Sequence, residues 1–188
     1  AAALTTAQIA SLTTDLVAVL STAELRALSA AQIGALTSTQ LNALATDHVA
    51  ALSTTQVAAL TTAQLSALST TNLDAFTSAQ VAALTTNEVA SLTTTQIAAL
   101  GTAQVAAFTS AQIAALTTAQ LNALTTTEVG ALTSAEALAL TTAQIASLTT
   151  DLVAALSTAD LRALNSTQID ALTSTQLNSL ATDHIAVL

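Results

Sequence analysis

From Leu4 to Leu188 a Leu or Phe stands at every eighth residue without a slip, and only Phe76 and Phe108 depart from Leu. The consensus octad reads L-T-T-A-Q-[IVL]-A-A, represented by Leu92 to Ala99 and Leu116 to Ala123. Its positions are numbered one to eight from that Leu. A fixed short period of this kind is the signature of a stacked architecture, in which one unit cannot bury its apolar face alone. About 23 octads fill residues 1–188 as a single repeat array, with no linker, insertion or Pro/Gly-rich seam to mark a domain boundary.

Three secondary structures could carry the octad. In one long helix the large apolar residues at positions one and six would wind around the rod. Their mean spacing of four residues does not match the helical period of about 3.6, so no single face forms. A β-solenoid is the alternative, favoured by abundant Thr, Val and Ile. It suffers because position six and the next position one are an odd number of residues apart, which sends them to opposite faces of a strand. Gly and Asn corners are also scarce.

Short helices, one per octad, fit best. Thr or Ser at position two with Gln or Glu at position five forms a capping box. The hydroxyl accepts from the N3 backbone N–H, and the longer side chain reaches back to the N-cap N–H. Thr5 with Gln8, Thr61 with Gln64 and Thr125 with Glu128 are examples. Leu at position one and Ile, Val or Leu at position six then occupy the two places of a hydrophobic staple. At about 100° per residue, positions five, six and the next position one share a face, and positions four and seven lie opposite. Sequence variation follows this map. Position eight is nearly always Ala, whereas position seven holds Arg26, Asn42, Asp74, Asn122 and Asp170. The expected fold is therefore an all-α solenoid or superhelix of very short capped helices. Helices this short fall far below the roughly 12–15 residues that are marginal alone, so each must gain from its neighbours.

A longer period lies above the octad. Residues 4–52 recur as 140–188, identical at 40 of 49 positions. Leu16 returns as Leu152, Arg26 as Arg162, and Asp47–His48 as Asp183–His184. The expectation is a tandem duplication, seen through a window on a longer array or in a chain that stacks end to end.

The side-chain alphabet excludes most functions. The chain has no Cys, Met, Pro, Trp or Tyr, and its net charge is −9 with Arg26 and Arg162 as the only basic residues apart from His. Nucleic-acid binding rests on clustered Lys and Arg, so it is not expected. No run of apolar residues is long enough to span a bilayer, so no membrane insertion is expected. No signal peptide is visible at the start.

His48 and His184 stand at position five in the Gln slot, but further ligands are not near them in sequence, so a metal or catalytic role is not expected. The simpler reading has the imidazole taking over the hydrogen bonds of Gln. The Gln row itself reads as capping, with room for Gln-to-Gln bonds between turns. Asp15, Glu24, Asp74, Glu88, Glu128 and Glu136 show no calcium-loop spacing and read as a solvated acidic surface. Catalytic, cofactor-binding and metal residues are each expected to be none, with no cofactor and no small-molecule substrate.

The run of LTTAQIAAL-type octads resembles the Thr/Ala/Gln-rich repeat regions of large bacterial secreted or cell-surface proteins. That resemblance covers essentially the whole chain and implies an extracellular stalk, spacer or filament whose partner is itself. It transfers no catalytic residue. Scarcity of Lys and Arg suits an exposed location, since trypsin-like proteases would find only Arg26 and Arg162. A structural rod is the leading function. A binding solenoid using positions four and seven is the alternative, and ice binding by the Thr pairs a minor one.

Overall fold

Each octad contributes one helix. The computed structural model describes residues 3–188, and among them 23 short α-helices follow one another, from α1 (Thr6–Ala10) to α23 (Thr182–Ile185), with no strand. The all-α expectation is met, and the β-solenoid alternative is not. Individual helices are only four to six residues long, as in α7 (Thr54–Val57) and α10 (Ser78–Ala83).

The caps explain how such short helices start. Every N-cap side chain accepts from the N3 backbone N–H except at Ala45, Gly101 and Ala181, which have no suitable oxygen. Full reciprocal boxes form in most octads, for example Thr93 with Gln96 and Thr125 with Glu128. They satisfy the backbone donors that a helix of one turn leaves open at its start. Where a helix runs the full six residues, the position-one residue that follows is extended, with φ −62° and ψ 141° at Leu84. The N-cap after it is extended again, as at Thr85. Two extended residues are thus enough to turn the chain. No described residue has a positive φ, so these corners need no Gly.

The described chain divides into two compact units, Ala1–Leu100 and Gly101–Leu188. In the first, α4 (Ala30–Gly34) packs on α7, and α7 on α10. In the second, α14 (Ser110–Ala115) packs on α17 (Ser134–Ala139), and α17 on α20 (Thr158–Ala163). Each helix therefore meets the one three places later, and each unit is a helical solenoid. Hydrogen bonds between successive turns span offsets from 25 to 31 residues, which places between three and four octads in a turn.

Positions one and six build the core, exemplified by Leu65, Ile97 and Leu100 in the first unit and Ile113, Leu121 and Leu161 in the second. Position five is also buried, more deeply than its place on the helical phase map implies. A position-five residue lies under the next part of the stack as well as beside its own helix, and a single-helix map does not contain that second neighbour.

Position seven comes close to the turn above. A Cβ added to Gly34 would lie 2.7 Å from the carbonyl oxygen of Ala59, and one added to Gly130 would lie 3.2 Å from that of Ala155. Gly in a helix normally costs about 1 kcal/mol relative to Ala. At Gly34 the contact is with backbone, which cannot move aside, so Gly34→Ala is expected to destabilise the first unit by about 1–2 kcal/mol despite the better propensity. Urea unfolding of the two Gly→Ala variants checks this. A Gly34→Ala chain more stable than the parent would show that the turns can separate there without cost.

Candidate functional site

The described residues enclose no pocket, and no three His, Cys, Asp or Glu side chains converge as a metal site would require. No described helix is long and apolar enough to cross a membrane. What the chain does build, repeatedly, is a buried polar slot at position five.

Gln56 shows its geometry. Oε1 accepts from the Ser53 backbone N–H at 2.8 Å and so closes the capping box. Nε2 turns the other way and donates to the carbonyl oxygens of Leu25 at 2.7 Å and Leu28 at 2.8 Å, on the preceding turn. One amide thus satisfies a helix start and ties that helix to the end of another. The same register recurs at Gln96 with Leu65 and Leu68, both at 2.7 Å, and at Gln176 with Ile145 and Leu148, both at 2.8 Å. These amides find main-chain carbonyls rather than the Gln-to-Gln bonds that the sequence left room for. Gln is suited to the slot because its side chain carries an acceptor and a donor on one rigid plane.

Six stretches match the model of the ALTTAQ repeat, five of them overlapping and the sixth separate: 14–46, 41–70, 49–86, 57–94, 86–118 and 153–188. Together they cover well over half of the sequence. The chain belongs to the ALTTAQ repeat family. Comparison with curated proteins finds no match.

Departures from the ALTTAQ octad show how the slot works. Asn72 stands in it and donates to Leu41 and Leu44 at 3.1 and 3.4 Å. Its shorter side chain forms no reciprocal box with Ser69. The Ser69 N–H is instead accepted by Oδ1 of Asn42, at 2.7 Å, from position seven of the preceding turn. Leu152 in the second unit has no polar atom at all, and there Oδ1 of Asn122 accepts from the Thr149 N–H at 3.0 Å. Both Asn side chains also donate to a position-eight carbonyl, Asn42 to Ala67 and Asn122 to Ser147, each at 2.8 Å. Arg26 does likewise, donating from Nε to Ala51 at 2.7 Å. The sequence placed these three residues on a free variable face. They bind the next turn instead. The detectable signal was the equal spacing from Asn42 to Asn72 and from Asn122 to Leu152.

The acids divide by position. Glu88, Glu128 and Glu136 occupy the buried slot, so the solvated surface expected for them is corrected. Each accepts its own N-cap N–H, as Glu88 does from Thr85. Asp160 does so from Ser157 at 3.0 Å, and its other oxygen accepts from the Ser134 hydroxyl of the preceding turn at 3.1 Å.

Glu24, on the first turn, is exposed. The Ser21 backbone N–H, and then the Ser21 hydroxyl, hold its carboxyl below the usual carboxylate range. A depressed folded-state value means that this cap is strengthened above the unfolded-state pKa and loses that contribution as pH falls through the folded one. An NMR titration of the Glu24 carboxyl should therefore show a low midpoint that rises only part of the way in Ser21→Ala, because the backbone N–H, the larger cause, remains. Equal midpoints in both chains would rule out the hydroxyl as a contributor.

His48 and His184 correct another expectation. The Nδ1 atom of each is buried without a hydrogen-bond partner, so at that atom the imidazole does not replace Gln. The N-cap residues of these octads, Ala45 and Ala181, also lack a hydroxyl. Both halves of the box have been lost together.

Proposed function

We propose that this ALTTAQ repeat chain is a mechanical element, a stalk, spacer or filament segment of an extracellular or cell-surface protein, and that it performs no catalysis. The observation that carries the reading is the destination of the polar side chains. Gln56, Gln96, Asn42, Asn122 and Arg26 are directed into the joint between one turn and the next. Such a joint repeats without a built-in limit, because every turn offers the following one the same carbonyls and the same apolar ridge.

The binding-module alternative uses variable positions four and seven, and at position seven Arg26, Asn42 and Asn122 are engaged within the solenoid. It also lacks the Trp and Tyr anchors common at binding hot spots. Ice binding needs an open hydroxyl lattice, whereas most position-two hydroxyls already accept a helix N–H.

Electron microscopy of the native protein, with antibody labelling of intact cells, tests the proposal. The expected result is surface label and thin extended particles whose contour length grows with octad number. Compact particles, or label confined to the cell interior, would refute it.

A further inference from the structure

Two buried glutamates stand in the position-five slot where the rest of the array places a donor. Gln80 and Gln96, one octad to either side of Glu88, show what the slot normally supplies. Gln80 Nε2 donates to the carbonyls of Val49 and Leu52 at 2.9 and 2.7 Å, and Gln96 Nε2 to those of Leu65 and Leu68, both at 2.7 Å. The offsets of 31 and 28 residues hold on both sides, and they assign to Glu88 the carbonyls of Val57, the last residue of α7, and of Leu60. The Leu60 carbonyl accepts from no donor among the described residues. Glu88 is 5% exposed; its Oε2 accepts from the Thr85 N–H, and its Oε1 has no hydrogen-bond partner among them. Glu136, also 5% exposed, repeats the arrangement in the second unit. Its Oε2 accepts from the Thr133 N–H and hydroxyl at 2.6 and 3.0 Å. The offsets, kept by Gln144 in the next octad, assign to it the carbonyls of Val105, the last residue of α13 (Thr102–Val105), and of Phe108. Asp160 differs, because its second oxygen already accepts from the Ser134 hydroxyl.

A carboxylate oxygen set against two carbonyl oxygens is unfavourable unless something positive lies among them. An amide carries two hydrogens, enough for both carbonyls, whereas a neutral carboxylic acid carries only one and would leave a carbonyl unserved. A cation serves all three oxygens at once. One carboxylate balances one positive charge, and a divalent ion would leave a net charge buried. We propose that Glu88 with the carbonyls of Val57 and Leu60, and Glu136 with those of Val105 and Phe108, each hold a monovalent alkali cation between successive turns. The ion takes the place of the amide nitrogen and ties the same two carbonyls to the same helix start. Carbonyl oxygens replacing the hydration shell of sodium or potassium is the chemistry of cation-selective filters. Most of the ligands are main-chain atoms, so these sites need neither a cluster of acids nor a calcium-loop spacing. They are independent of whether the chain serves as a rod.

Urea unfolding of the 188-residue chain at constant ionic strength tests this, with choline chloride replaced stepwise by sodium or potassium chloride. The comparison chain carries Glu88→Gln, Glu128→Gln and Glu136→Gln, which removes the buried glutamates and restores the repeat's own amide, so the fold survives. The midpoint of the parent is expected to rise with the logarithm of alkali-ion concentration, as for any ligand of the folded state, and that of the triple variant to stay flat. In sodium NMR the resonance should broaden with the parent and less with the variant. A parent midpoint that is the same in choline, sodium and potassium chloride would overturn the proposal. So would a triple variant that follows the parent, or equal broadening by both chains, since the ions would then lie elsewhere. Stabilisation of the parent by calcium chloride alone would overturn the assignment to a monovalent ion.

Discussion

Replacing Gln80 by Leu is expected to lower the stability of the first unit by about 2–4 kcal/mol, since it leaves the Thr77 N–H and two carbonyls of the preceding turn without their partner. Leu fills the space of Gln, as Leu152 does in the same slot, so the loss comes from hydrogen bonding and not from a cavity. The second unit indicates how to recover part of it. There Asn122 supplies the acceptor that Leu152 cannot. The residue in the matching place one turn before Gln80 is Ala50, so Ala50→Asn should restore the Thr77 cap and return about 1 kcal/mol. In the Gln80 background the same substitution should change little, because the cap is already made. The coupling is read from a double-mutant cycle in urea unfolding. Additive effects would mean that the position-seven Asn does not take over the cap.

Restoring the degraded octad should have the opposite sign and similar size. Ala45→Thr with His48→Gln is expected to stabilise the first unit by about 2–4 kcal/mol. The hydroxyl contributes about 0.5–2 kcal/mol as an N-cap. The amide removes a buried nitrogen without a partner, itself worth about 1–3 kcal/mol. It also reaches back over the preceding turn, as Gln40 does to Leu12 at 2.7 Å. Because stability in a repeat array is local, hydrogen exchange at residues 45–52 should slow more than exchange in distant octads. An unchanged or lowered unfolding midpoint would show that His48 is satisfied in solution in some other way.

These expectations depend on a distinction between what one octad encodes and what a stack of octads encodes. The helix, its start and its apolar face were legible because they are local. Thr93 and Gln96 are three residues apart, and Leu92 and Ile97 five, so spacing alone identifies box and staple. The longer period was legible as well, from the return of Leu16, Arg26 and His48. The slot was read only by half. Oε1 of Gln56 serves its own helix and could be inferred, while Nε2 serves Leu25 and Leu28, whose relation to it depends on the size of a turn. His48 was misjudged for the same reason: its place in the octad indicated a replacement for Gln, and only the surroundings left Nδ1 unpaired.

The sequence by itself determined that each octad forms a capped helix with positions one and six inside. Capping and side-chain periodicity are interactions within a few residues, and the register of the repeat states them directly. Only the tertiary structure decided that between three and four octads make a turn. That number sets which carbonyl lies beneath which amide, and it follows from how far two extended residues rotate one helix relative to the next. It brought Asn122 under Thr149 and Asn42 under Ser69, residues that no local rule connects. Arg26, Asn42 and Asn122, which looked like surface, thereby proved to be joints.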